Sequence, residues 1–201
     1  LAGELEGIKD EVTACLRCGL CSTRTNAVPG SGDVAAEIMF VGEAPGRRED
    51  MLGEPFVGAA GTRLSGALER AGLSRSKVYI TNVVKCRPPD NRVPTAAERE
   101  ACSEYLQREI AAIRPRIICI LGNTAFGSVL GGSEITKNRG KIAAKNGNLY
   151  FITIHPAATI YNQSLAGVLD DDIARLADVV RQLRDGRMEV KPDITYPSGG
   201  V

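Results

Sequence analysis

The chain has 201 residues, with 25 Lys and Arg against 24 Asp and Glu for a formal net charge of +1, and it carries six cysteines, one histidine and no tryptophan. A composition of 43% hydrophobic and 24% charged residues excludes a wholly disordered chain and suffices for one α/β domain with a real core. No apolar run approaches the roughly 18 residues that cross a bilayer, and the first residues lack the blocks of a signal peptide, so a cytoplasmic protein without membrane contact is expected.

Four short, β-branched apolar runs, at 37–41, 78–84, 116–121 and 149–155, read as strands. The first three are too uniformly apolar for half-exposed antiparallel strands and suit parallel strands covered on both faces. Helices fall between them. Residues 61–72 carry Leu64, Ala67, Leu68 and Ala71 on one face and stop at Gly72. The longest helix is expected over 95–113, opened by Pro94, Thr95 and Glu98 as a capping box and closed before Pro115. A third, over 164–183, buries Leu165, Leu169, Ile173, Leu176, Val179, Val180 and Leu183. This alternation predicts a three-layer α/β/α sandwich around a mainly parallel four-stranded sheet. Residues 1–185 are read as a single domain and 186–201, rich in Pro and Gly, as an irregular tail.

Ligands of such sheets gather at the carboxyl ends of the strands. That rule selects Gly42-Glu43-Ala44-Pro45-Gly46, the stretch 82–89, Gly122-Asn123-Thr124 and His155-Pro156-Ala157-Ala158. In a cytoplasmic chain, six cysteines point first to a metal or cluster rather than disulfides. Cys15 and Cys18 form a C-x-x-C, while Cys86 and Cys102 stand apart with fifteen residues between them. Four thiolates suit zinc or a [4Fe–4S] cluster, and spacing alone does not choose, although a single close doublet leans toward iron–sulfur. Cys119 lies inside Ile117-Ile118-Cys119-Ile120 and reads as a small buried hydrophobe. Cys21 has no assigned role.

Taken together, Gly42-Glu43-Ala44-Pro45-Gly46, Glu49-Asp50, Gly53-Glu54-Pro55-Phe56-Val57-Gly58, Ile80-Thr81-Asn82-Val83-Val84-Lys85-Cys86-Arg87-Pro88-Pro89 and His155-Pro156-Ala157-Ala158 resemble the family 4 uracil-DNA glycosylases. The likeness covers about residues 10–185. It implies a [4Fe–4S] cluster on Cys15, Cys18, Cys86 and Cys102. It also implies an enzyme that flips deoxyuridine from DNA and hydrolyses its N-glycosidic bond in base-excision repair. A fixed amide at Asn82 matches the O4 acceptor and N3–H donor of uracil and is mispaired by cytosine, and such polar contacts can discriminate by roughly 10⁴ or more. Phe56 suits stacking on an extruded base. The resemblance also implies for His155 the role of a donor to uracil O2 as negative charge develops there.

One departure bears on mechanism. Where better-known members of the wider superfamily carry a water-positioning Asp, this chain has Ala44, which leaves Glu43 as the adjacent ionisable group able to orient water or hold the base and sugar. By the same analogy Glu49 crowds the C5 edge of uracil and disfavours thymine. Lys85, Arg87 and Arg92 around Cys86 form one basic cluster, and Lys137, Arg139, Lys141 and Lys145 a second, both offered as phosphate contacts. Thr159 stands where the superfamily has a leucine wedge, so wedging falls to Ile160 or Tyr161. The implied partners are uracil-containing DNA, single- and double-stranded, and a replication sliding clamp, with the protein a monomer. Against this stand a non-catalytic or covalent uracil-DNA binder and an iron–sulfur electron carrier. The covalent binders use a histidine in a loop after the second strand, and here residues 86–92 are short and contain none. An electron carrier leaves Asn82, Phe56 and His155 unexplained.

Overall fold

A computed structural model describes residues 2–186 and 190–198. In chain order its elements are α1 (Ala2–Thr13), β1 (Ser31–Gly32), β2 (Ile38–Gly42), α2 (Arg47–Leu52), α3 (Ala59–Arg70), β3 (Tyr79–Asn82), α4 (Ala96–Ile113) and β4 (Ile117–Leu121). They continue with α5 (Asn123–Leu130), α6 (Ile135–Asn138), β5 (Ile142–Lys145), β6 (Asn148–Thr153), α7 (Ala158–Tyr161), α8 (Leu165–Asp185) and β7 (Ile194–Thr195). The four apolar runs become β2, β3, β4 and β6, which lie side by side and parallel in the order β3-β2-β4-β6.

Alternation along each strand divides the core. Met39, Val41, Ile118, Ile120 and Ile152 face one layer with α1, α4 and α5. Ile38, Phe40, Ile117, Cys119 and Phe151 face the other with α3 and α8. Period-2 patterning with both faces apolar is what a parallel sheet covered by helices requires.

The expected α/β/α sandwich is the fold, but among the described residues the sheet has seven strands rather than four, in the order β1-β3-β2-β4-β6-β5-β7. The additions are edge pairings. β1 joins β3 and β5 joins β6, both antiparallel, while β7 lies parallel to β5. The β5–β6 hairpin turns at Asn146-Gly147, both with positive φ (50° and 78°). Asn-Gly between apolar segments is the preferred two-residue hairpin turn, so this signal stood in the sequence. The tail is not irregular throughout: Ile194–Thr195 pair with β5, and Tyr196 N–H donates to Ala144 O at 2.9 Å. The rest of the assigned tail at 187–189 and 199–201 lies outside the described residues. No helix among the described residues is long and apolar enough to cross a membrane.

The three expected helices form within a few residues of their assigned bounds. At α4 the capping box is present: Thr95 Oγ1 accepts from Glu98 N–H at 3.2 Å and Thr95 N–H donates to Glu98 Oε2 at 2.8 Å. Replacing Thr95 by Ala removes one half of this reciprocal pair. The Thr95→Ala protein is expected to lose about 1 kcal/mol of stability, seen as a lower urea midpoint at unchanged m.

Candidate active site

The carboxyl ends of the four parallel strands open on a cavity of about 530 Å³, whose walls include Glu43, Ala44, Glu49, Phe56, Asn82 and His155. Five separate sequence segments thus supply one site. Gly42 and Asn82 are register partners at the ends of β2 and β3. A Cβ on Gly42 would stand 2.5 Å from Asn82 Oδ1 and 2.6 Å from Phe56 Cζ, so only glycine lets the amide and the ring close over the strand end. Asn82 is 1% exposed, and its Oδ1 is buried without a hydrogen-bond partner among the described residues. Leaving a buried acceptor unpaired costs about 1–3 kcal/mol, so such an atom at a cavity wall is poised for a ligand donor.

The ring of Phe56 is buried and sits 5.7 Å, centroid to centroid, from His155 at an interplanar angle of 33°. Its backbone is left-handed, with φ 53°, a strained setting for an aromatic residue. Gly61 fixes this conformation from below, because a Cβ there would lie 1.8 Å from Phe56 O. From the other side, Oε1 of the buried Glu49 accepts from Val57 N–H at 2.9 Å and Gly58 N–H at 2.7 Å. Asp50, also buried, takes the N–H groups of Thr25 and Asn26 at 2.9 and 3.3 Å. The doublet therefore organises two loops instead of facing solvent.

His155 is half-buried just beyond β6. Its Nδ1 accepts from Ala157 N–H at 3.1 Å, which leaves the proton of the neutral ring on Nε2. Burial lowers its pKa to about 4, and the nearby Glu49 charge offsets this only in part. At neutral pH the residue is accordingly a neutral N–H donor. The strand that delivers it is fastened by Thr153 Oγ1, which donates at 2.7 Å to the buried carboxylate of Asp172.

A second, small cavity is lined by Cys15, Cys18, Cys86 and Cys102, together with Cys21. All six thiols of the chain are free, and Cys119 is buried in the sheet core as expected of a small hydrophobe. Donors already point at the sulfurs: Arg24 Nη1 to Cys86 Sγ at 3.1 Å, Lys85 N–H to Cys102 Sγ at 3.3 Å and Arg17 N–H to Cys15 Sγ at 3.5 Å. Burial raises the Cys86 thiol and pushes Cys102 up to about 11, against the lowering effect of Arg24 and Lys85 respectively. Thiols so placed need a bound cation to stay deprotonated. No three His, Cys, Asp or Glu side chains among the described residues are arranged to hold a single metal ion. Four cysteines around one small cavity are a donor set that fits either a zinc ion or an iron–sulfur cluster.

The expected DNA contacts divide. Lys85 is 1% exposed and pairs with the fully buried Glu109 at 2.6 Å, so it cannot reach a phosphate; its charge is used inside the fold. Arg139 is committed to Asp172, at 3.0 Å through Nε and 2.5 Å through Nη2, and Lys145 is buried with its ammonium on Val129 O. Neither these two nor Lys137 and Lys141 line the cavity, so the second basic cluster does not adjoin it. Arg87 is half-buried and bonds Asn91 Oδ1 at 2.7 Å, while Arg92 stands at the cavity wall. Tyr161 is 90% exposed at the rim, with Ile160 exposed beside it and Thr159 buried.

Sequence reasoning missed Glu109, Arg24 and the wall residues Asn91 and Val93. Glu109 had a signal: it occupies the core-facing stripe of α4 with Tyr105, Leu106, Ala112 and Ile113, where an acid implies a buried partner.

A family model described as the uracil DNA glycosylase superfamily matches residues 29–183. The chain is 48% identical to a type-4 uracil-DNA glycosylase of Sulfurisphaera tokodaii over 87% of its own length and 84% of the relative's. It is 46% identical to the type-4 enzyme of Saccharolobus solfataricus, covering 88% and 86% of the two chains. With the type-4 enzyme of Thermotoga maritima the figures are 40% identity and coverages of 89% and 95%.

The depressed His155 pKa has a consequence for stability. Between about pH 4 and 6.5 the unfolded chain binds a proton at this residue and the folded chain does not, so protons favour unfolding in that window. The contribution is complete above 6.5, falls away toward 4 and changes no further below it. A His155→Gln protein is expected to show a flatter fall of melting temperature than the parent between those pH values, measured by calorimetry across the window.

Proposed function

The chain belongs to the type-4 uracil-DNA glycosylases of the uracil DNA glycosylase superfamily, and from that premise we infer that the cavity at the sheet edge takes a deoxyuridine flipped out of DNA. The protein is a uracil-DNA glycosylase, a hydrolase of N-glycosyl bonds that serves DNA repair. The observation that carries the reading of the site is the buried, unpartnered Oδ1 of Asn82 in the same cavity as the neutral N–H donor of His155.

Uracil offers N3–H to that acceptor and O4 to the amide N–H of the same side chain. Cytosine presents an acceptor and an amino donor at these positions and leaves both halves of the Asn82 amide mispaired, which disfavours it. The Phe56 ring, held in place before any ligand arrives, stacks on the base. Glu49, pinned by two backbone N–H groups, stands at the C5 edge and opposes the methyl of thymine.

As the C1′–N1 bond breaks, its electron pair passes to the base and charge builds on O2. His155 Nε2–H donates to that oxygen, and because the ring is neutral, no proton need be transferred to the leaving group. Water adds to C1′ of the oxocarbenium-like sugar and gives up a proton, which the departed uracil anion takes up. Glu43, half-buried at the cavity wall, orients this water and Ala44 cannot, which fits a largely dissociative path that asks little of a base. Free uracil and an abasic site are the products. Outside the cavity, Arg87 and Arg92 contact phosphates and Tyr161, with Ile160, fills the gap left in the stack. Lys141 remains a peripheral phosphate contact in this reading; Lys85 and Arg139 do not.

Cys15, Cys18, Cys86 and Cys102 would hold a [4Fe–4S] cluster, with Arg24 and two backbone N–H groups bonding to its ligand sulfurs. When bound, the cluster supplies a structural tie between the N-terminal segment, the loop after β3 and α4. The reading extends, by family resemblance, to a cytoplasmic monomer with a replication sliding clamp as protein partner.

Incubation with single- and double-stranded oligonucleotides carrying one uracil, followed by alkaline cleavage, is expected to reveal abasic sites; tight binding without release of uracil would instead mark a non-catalytic binder. A His155→Ala protein with unchanged iron should be slower by about 10²–10³, and an undiminished rate would show that the chemistry lies elsewhere. The protein as isolated should contain iron and acid-labile sulfide in equal amounts, and the Cys102→Ala variant should lose both. Equimolar zinc without iron would overturn the cluster assignment.

A further inference from the structure

Behind the cavity, on the α1, α4 and α5 face of the sheet, lies a closed polar network that none of the roles above accounts for. Lys85 and Glu109 are 1% and 0% exposed. An ammonium has three protons to give, and all three are placed: on Thr81 Oγ1 at 2.6 Å, on the carbonyl of Asn82 at 2.9 Å and on Glu109 Oε2 at 2.6 Å. Thr81 in turn donates to Glu109 Oε2 at 2.8 Å, and Glu109 Oε1 accepts from Gly30 N–H at 2.9 Å and from Tyr79 OH at 3.5 Å. The network thus holds the first, third and last residues of β3 and the residue three places beyond its end.

A buried ion pair adds little stability over well-packed apolar residues of the same volume, because desolvation consumes most of the attraction. What it adds is position. Asn82 is the last residue of β3, and the peptide that follows it is held from both sides: Val83 N–H donates to Gly42 O at 2.9 Å, and the Lys85 ammonium donates to the Asn82 carbonyl. Lys85 is itself fixed at the far side, since its N–H bonds Cys102 Sγ and its carbonyl accepts from Val28 N–H at 2.7 Å.

We propose that Lys85 and Glu109 are positioning residues for the uracil-reading amide: they fix the peptide of Asn82, and through it the direction of its side chain, without touching substrate. The inference rests on the assignment of Asn82 as base reader. Misplacement of a catalytic contact by about 1 Å can cost about a hundredfold in rate.

The test is a mutant cycle on the iron-loaded protein, read as single-turnover uracil excision at saturating enzyme. Lys85→Met alone strands the Glu109 carboxylate, so the informative variant is Lys85→Met with Glu109→Gln. This pair is neutral and keeps an acceptor for Gly30 and Tyr79 and a donor for Thr81. It is expected to retain its iron, its visible cluster absorbance and its affinity for uracil-free DNA, while the excision step slows by about a hundredfold. In the Asn82→Ala background the same pair of changes should add less than about threefold, because its effect passes through the amide already removed. A full rate in the iron-loaded double variant, or an equal loss in both backgrounds, would overturn the proposal. Full activity of Asn82→Ala alone would instead remove the base-reading assignment, and the proposal with it.

Discussion

Everything in the site follows from the register of four parallel strands. Gly42 faces Asn82, Val41 faces Ile120 and Leu121 faces Thr153, so β2, β3, β4 and β6 end along one line. Because parallel strands are joined by crossovers, the loop leaving each end is followed by a helix or a turn on one side of that line, and the side chains just past the ends converge. Asn82 and His155 are 73 positions apart in the chain and meet for this reason alone. A slip of one residue in either strand would turn its terminal side chain to the opposite face.

Two buried carboxylates fasten that edge, one in each helical layer. Glu109 of α4 holds the end of β3 from one face, and Asp172 of α8 holds the end of β6 from the other. Each is partnered by a cation, Lys85 or Arg139, that sequence reasoning had offered to DNA. The near balance of charge in the whole chain therefore includes ion pairs spent inside the fold, and a basic residue beside a functional motif is as apt to brace the motif as to face its ligand. Only exposure, which a sequence does not carry, separates the two.

Most of the fold was legible because its signals are local. Uniformly apolar runs, a capping box at Thr95 and amphipathic periods gave the central strands and the three long helices. The edge strands escaped because two-residue pairings have no periodicity, although the Asn146-Gly147 turn was readable. Helices α1, α2, α5, α6 and α7 were also missed; all but α1 are short, and α5 is bounded by Gly122 and Gly131, which read as loop. In the site, the strand-end rule selected the stretches that hold Asn82 and His155, the family resemblance added Phe56 and Glu49, and the fold gathers all four around one cavity. What no pattern could supply was the buried state of Lys85 and the thiol-facing Arg24, each of which depends on atoms far away in sequence, while the tautomer of His155 is set by the local turn through Ala157 N–H.

Phe56 illustrates a tension between folding and chemistry. Its left-handed backbone suits glycine or asparagine better than an aromatic residue, and Gly61 is confined to glycine by the same close approach. A chain shaped for robustness alone would drift toward a small residue at position 56 and relax the loop. That drift would strip the cavity of its planar wall. The loop is thus a place where backbone strain and cavity shape are coupled, and where relieving the strain with a glycine at position 56 would erode what the cavity is for.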